Sequence, residues 1–243
     1  MDASVYEVEA AVEATHWWFV GRRRLLGRLL ADLQVAPTAR ILDIGTSTGT
    51  NLRMLRDLGF THYQGLDPSP EAVRWCAEKA LGDVVLGDAC GIPFAAGTFD
   101  LVLATDVLEH LENDTLALTE IVRVLKPGAP VIITVPAFAA LWGRQDEVSQ
   151  HLRRYRGREL LGKLAAAGLV CTRAFYFNYL LLIPIFVARQ LINLLHIEVR
   201  SENEINSPCV NRLLTAIFDL DVRTAPLLRP PAGVSFLAVA RRP

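Results

Sequence analysis

What the chain lacks narrows its options first. Its longest apolar run, YLLLIPIFVA from Tyr179 to Ala188, is cut off by Arg189, well short of the ~20 residues a membrane-spanning helix requires. The opening residues, MDASVYEVEAAVEA, are acidic, and no basic segment leads into an apolar one, so a secretory leader is not expected. The four cysteines, Cys76, Cys90, Cys171 and Cys209, stand far apart, with no CxxC pair and no Cys/His cluster along the chain. That spacing indicates neither a disulfide framework nor a zinc site, and no metal is expected. Reduced thiols in a cytoplasmic protein are the plain reading. An excess of one charge is missing too. Lys and Arg number 25 against 26 Asp and Glu and the pI is near 6.5, so no basic field is offered to a nucleic acid.

What is abundant is apolar surface. Hydrophobic residues make up 51% of the chain and the mean hydropathy is +0.28, more than an ordinary core consumes. The 243 residues suit one sizeable α/β core. From about residue 40 short β-rich runs alternate with helical patterns, the signature of stacked βα units. Strands are expected at 40–44, 62–66, 84–86, 101–104 and 131–135, with helices near 51–58, 70–80 and 116–125 between them. The last helix runs into Lys126-Pro127-Gly128, a helix-stop and turn signal. A helix at 158–167 then leads through Gly168 to a strand at 170–177, and a final strand, 234–240, closes the pattern. Two helices precede the first strand, and roughly fifty residues separate the last two strands, a connection long enough to suggest function.

The strongest local signal is ILDIGTSTGTN, Ile41 to Asn51. An apolar strand ends in Asp43, and a loop of small residues then opens a helix. Gly45 and Gly49 permit backbone angles and close approaches that a Cβ would forbid, and the helix beyond offers free N–H donors. A tight βα turn needing glycine only for geometry would read the same way. Asp67 ends the next strand in YQGLDPSPEAV, where nucleotide-binding α/β sheets place the acid that takes ribose hydroxyls. Ser69-Pro70-Glu71 then reads as N-cap, first-turn proline and first-turn acid. Asp88 follows in VVLGDACGIPF, and FDLVLATD runs into Val107-Leu108-Glu109-His110-Leu111.

Taken in order, DIGTSTGTN, LD, GDA, PF…FDLV, VLEHL and LKPGAPVIITVP closely resemble the class I S-adenosylmethionine (SAM)-dependent methyltransferases, of the bacterial small-molecule type. The resemblance covers about residues 38–178. It implies a Rossmann-like seven-stranded, mostly parallel sheet with an antiparallel last strand and helices on both faces. An N-terminal helical lid (1–37), a SAM-binding core (38–178), a helical insertion (179–231) and the last strand (232–243) would form one methyltransferase domain. By the same resemblance Asp43, Gly45, Thr46, Gly49 and Asn51 would cradle the methionine part of SAM. Asp67 and Pro68 would hold the ribose, Asp88 and Ala89 the adenine, and Thr105 and Val107 would form the floor. The family's usual middle glycine is Ser47 here.

Two further segments carry the resemblance on. In HWWFVGRRR, His16 to Arg24, aromatic residues including Trp18 would roof the cofactor while Arg22 pairs with its carboxylate; the alternative is a helix packing Trp17 or Trp18 inward with solvated arginines. LWGRQDEVSQHLRRYRGREL, Leu141 to Leu161, would cap the substrate side with Asp146, His151, Arg154 and Tyr155. The candidate catalytic groups are His110, His151 and Tyr155. An imidazole at His110 suits a base at neutral pH, although the EHL triplet recurs with very different acceptors, which points to a positioning role.

The implied activity is methyl transfer from SAM to a small-molecule acceptor, apolar or lipid-like if the greasy insertion serves it. A non-catalytic SAM-binding protein is the alternative, and a nicotinamide oxidoreductase a more distant one, since GxGxxG is absent after Ile44. Residues 179–200 are too apolar to lie bare, so packing on the sheet edge, a homodimer interface, an apolar acceptor site or peripheral membrane contact is expected there. Pro184 is expected to break or kink any single helix through the run.

Overall fold

The computed structural model describes the fold of residues 3–195 and 207–243. Seven strands form one sheet in the order β3-β2-β1-β4-β5-β7-β6. They are β1 (Arg40–Ile44), β2 (His62–Asp67), β3 (Val84–Leu86), β4 (Leu101–Thr105), β5 (Pro130–Pro136), β6 (Val170–Phe177) and β7 (Ser235–Arg241). The β1–β2, β1–β4, β2–β3 and β4–β5 pairs are parallel, whereas β7 lies antiparallel between β5 and β6. Strand order reverses between β1 and β4, and the crevice beyond the carboxyl ends of strands at such a reversal is where open α/β sheets bind ligands.

The strands are apolar almost throughout because both faces are covered. Along β4, Val102 and Ala104 face one apolar cluster while Leu101 and Leu103 face the other. The first cluster is completed by α5 (Asp114–Val124) and α7 (Gly157–Ala166), through residues such as Leu118, Ile121, Leu160 and Leu164. The second is completed by α2 (Trp17–Asp32), α3 (Thr50–Asp57) and α9 (Pro208–Leu228), through Leu26, Leu29, Leu52, Leu55 and Phe218. The remaining helices are α1 (Ala3–Val12), α4 (Pro70–Glu78), α6 (Arg144–Val148) and α8 (Leu182–Leu195). Ser69 caps α4 by accepting from the Glu71 amide, with Pro70 in the first turn.

The long connection between β6 and β7 is docked, not loose. Asp221 of α9, fully buried, accepts from the amides of Asn178 at 2.7 Å and Leu180 at 2.8 Å. Trp18 stacks on Phe218 with centroids 5.3 Å apart and on Phe177 at 6.0 Å, so α2, β6 and α9 share one aromatic stack. Pro184 neither breaks nor kinks α8: it sits in the first turn of a helix that begins at Leu182, where its missing N–H has no intrahelical partner to lose. Leu181 is buried rather than part of a bare surface. The end of the greasy run, 196–200 with Arg200, lies outside the described residues. Among the described residues no helix is long and apolar enough to cross a membrane.

Candidate active site

The loops after β1, β2 and β4 converge on one cavity of about 390 Å³, with α1, α2, α6 and α8 closing over it. The β1 loop starts at Gly45, whose amide donates to the Leu66 carbonyl. Gly45 has φ +72, and a Cβ there would stand 2.5 Å from Val107 Cγ2. Only glycine meets both demands. Ser47, in the place of the family's middle glycine, nevertheless adopts φ +48. Its Oγ donates to Glu9 Oε2 at 2.8 Å and its amide donates to Asp67 Oδ2 at 2.9 Å, bonds that offset the left-handed conformation. The same loop is strapped by α1 and its following turn. Glu13 is buried, accepts from Thr48 Oγ1, and binds Lys79 Nζ at 2.9 Å.

Asp67 is 5% exposed, and its second oxygen accepts from the Ser69 amide at 2.9 Å. Burial raises its carboxyl above the usual range while the two amides oppose that shift. Asp43 lies one layer deeper, outside the cavity wall. Asn51 donates to Asp43 Oδ1 at 2.9 Å and to Thr105 Oγ1 at 3.0 Å, and burial pushes Asp43 up to about 7. Gly49 also faces away, with φ +87 and its α-carbon against Leu81 and Cys76. The other anticipated cofactor residues, Trp18, Arg22, Gly45, Thr46, Asn51, Asp67, Pro68, Asp88, Ala89, Thr105 and Val107, all line the cavity.

Arg22 is buried, and its Nη1 donates to Asp106 Oδ2 at 2.6 Å, leaving Nε without a partner. The expectation of arginines solvated as a set therefore fails at Arg22. Trp17 and Trp18 pack on Phe218 as the inward-packing alternative had it, yet Trp18 also lines the cavity.

Glu109, His110 and His151 line the wall as well. The 3₁₀ turn Leu108–His110 follows β4. The segment after α6 is pinned against that turn: the Leu152 amide donates to the Glu109 carbonyl at 2.8 Å, and Tyr155 Oη donates to the Leu108 carbonyl at 3.1 Å. This brings His151 to His110, ring centroids 4.7 Å apart and edge to face. Burial, with His151 beside it, holds His110 down at about 4, so its imidazole is neutral at pH 7.

Tyr155 needs correction as a catalytic candidate. It is fully buried away from the cavity, and its single hydroxyl proton is shared with Asp114 Oδ2, the nearer acceptor at 2.7 Å. Burial and the Asp114 carboxylate raise its pKa far beyond that of a free phenol, so it positions the loop and does not exchange protons there. Asp146 is likewise interior. It accepts from His151 Nδ1, Arg154 Nε and the Gly143 amide, each at 2.8 Å. Burial alone would raise its carboxyl, but these partners hold it at about 2.

The expectation of no Cys/His-type cluster held only along the chain, since in space Glu109, His110 and His151 lie together. Sequence reasoning also missed Tyr6, Glu9 and His16 from the lid and Asn178, Ile185 and Arg189 from the long connection, all of them lining residues. His16 shows both ring nitrogens buried without partners, and burial lowers it to about 4. Its place before HWWF's helix was visible in the sequence; its direction was not.

Residues 42–133 match the methyltransferase domain family model. The matched stretch runs from β1 to β5, the part of the sheet whose loops build the cavity. The chain is 37% identical over 102 residues to norajmaline N-methyltransferase of Rauvolfia serpentina, covering 38% of this chain and 34% of that one. It is 30% identical over 147 residues to malonyl-[acyl-carrier protein] O-methyltransferase of Enterobacter lignolyticus, covering 58% of each. Across the first curated relatives the match spans 34–48% of their length. Among solved structures, phosphoethanolamine N-methyltransferase 2 of Haemonchus contortus, in complex with S-adenosyl-L-methionine, superposes with TM-score 0.60 at 20% identity. That match covers 90% of this chain and 52% of the other. At that identity the likeness is one of fold.

Proposed function

We propose that the chain transfers a methyl group from SAM to a small-molecule acceptor. The observation that carries this reading is the cavity at the strand-order reversal, with Asp67 buried and aimed by two backbone amides inside a methyltransferase domain. A carboxylate so oriented keeps lone pairs for the two ribose hydroxyls. Asp88, held by the Cys90 amide at 2.8 Å, would accept from the adenine amine, with Ala89 beneath the ring. The loop Gly45–Thr46 with Asn51 would face the methionine part, over a floor of Thr105 and Val107, and Pro68 would border the ribose. Trp18 would roof the cofactor. Buried polar atoms without partners, Arg22 Nε, Asn51 Oδ1 and both nitrogens of His16, fit a ligand that carries a carboxylate and an ammonium, since such atoms are costly when left unpaired. Asp43 and Gly49 act from behind, holding Asn51 and the loop.

When bound, SAM supplies a methyl on a sulfonium. An acceptor atom takes the methyl and sulfur departs neutral, so no acid is needed at that end. The chain's share is alignment in a water-poor site. An apolar or lipid-like acceptor is favoured by α8, which turns Ile185 and Arg189 into the cavity and an apolar stripe outward. In a cell this reading places the protein in the cytoplasm, in contact with a membrane surface when it collects its acceptor.

Calorimetry with SAM, S-adenosylhomocysteine and NAD tests the reading. SAM and its product should bind and NAD should not. Asp67→Ala should weaken SAM binding by about 1.5–3 kcal/mol, the range for charge-assisted hydrogen bonds. Unchanged affinity in a folded variant removes the ribose assignment. Binding without any turnover of SAM across acceptor panels would leave the non-catalytic alternative.

A further inference from the structure

We propose that Glu109, His110 and His151 form a divalent metal site in the wall of the cavity. One ligand atom from each lies within 4.8 Å of the others, the one such cluster among the described residues. Two imidazole nitrogens and a carboxylate oxygen suit first-row transition ions such as zinc, manganese or iron better than calcium. Bonds of about 2.0–2.2 Å require the three to draw closer than they stand without an ion.

A second observation points to a ligand independently of that spacing. Glu109 is fully buried, and neither of its carboxylate oxygens has a hydrogen-bond partner. A buried carboxylate must be paired, coordinating or neutralised by a proton, and a cation in the cluster would supply the partner that both oxygens lack. The surroundings are already built as metal sites are. His151 gives its Nδ1 to Asp146, which leaves Nε2 for an ion. The His110 ring stands edge to face against His151. Asp146 is itself fixed by Arg154 and the Gly143 amide.

The site's use rests on the methyl-transfer reading above. Three protein ligands leave coordination positions open, and because all three line the cavity an acceptor bound there would meet the ion. The acceptor class is then an oxygen nucleophile. Its hydroxyl, bound to the ion, loses its proton to water at a lower pH than when free. The oxygen forms the new O–C bond, and the C–S electron pair stays on sulfur, giving neutral S-adenosylhomocysteine.

The test is cobalt uptake by the full chain after chelator dialysis, followed by visible absorption and by mass-spectrometric metal counting. One Co²⁺ per chain is expected, with uptake weakened roughly tenfold or more in Glu109→Gln and in His151→Asn. Acetohydroxamate, a bidentate oxygen probe, should shift the cobalt bands. No uptake by wild type, or equal uptake by the near-isosteric Glu109→Gln, overturns the metal site; an unshifted spectrum overturns the oxygen-acceptor part. SAM calorimetry on the same samples separates the two readings. Retained SAM binding with no cobalt uptake sinks the metal alone, whereas cobalt uptake without SAM binding sinks the cofactor reading.

Discussion

Asp43 shows what a single residue hides in a sequence. As the last acid of a strand before a glycine loop it reads as a ligand contact, yet it sits behind the wall, bonded to Asn51. Burial raises its folded-state pKa to about 7, against roughly 3.9 in an unfolded chain. Between those values the folded protein holds a proton that the unfolded chain has lost. Stability from this residue therefore falls as pH rises through about 4 to 7 and levels above that. Asp43→Asn keeps an oxygen for Asn51 and removes the slope. Its melting temperature relative to wild type should rise between pH 5 and pH 8; a constant difference would mean that Asp43 ionises normally. The place of Asp67 in the cavity wall was legible in the sequence, because it follows from its position at the end of β2. His110 was legible only halfway, because its partner His151 comes from a distant segment that the Leu152 and Tyr155 bonds bring in.

At the scale of elements, the strands were readable to within a residue or two because both faces of the sheet are apolar and glycine, proline and capping signals punctuate them. The lid and the long connection were less so, since their partners are each other. Trp17 and Trp18 could not declare a direction until α9 set Phe218 against both rings. The packing there is tight: a Cβ on Gly21 would stand 2.1 Å from the Phe218 ring. Phe218→Ala should accordingly cost about 3–5 kcal/mol in urea denaturation and weaken SAM binding through Trp18. A loss under about 1 kcal/mol would show that α9 does not anchor the lid.

For the whole molecule, the surplus of apolar residues noted at the outset is partly spent on the two core layers and partly left outside. Along α8, Ile183 is 73% exposed, Val187 48%, Leu191 48% and Phe186 40%, a single stripe at helical spacing on the side opposite Ile185 and Arg189. If this stripe collects a lipid-like acceptor, the protein should co-sediment with neutral phosphatidylcholine vesicles, with little salt dependence. The double variant Ile183→Asp, Val187→Asp should lose that binding and keep its SAM affinity. No sedimentation by wild type, with a dimer that dissociates in the double variant, would assign the stripe to self-association. The antiparallel strand β7 has a different kind of consequence. Because it is wedged between β5 and β6, and β6 has no other neighbour in the sheet, synthesis delivers the keystone after the six strands it completes. A nascent chain exposes one edge of β5 and the whole of β6 until residues 235–241 leave the ribosome, and its β5–β7 pairing then joins segments separated by much of the sequence. Such distant pairing is slow, so the half-built sheet is the form of this protein most in need of a chaperone.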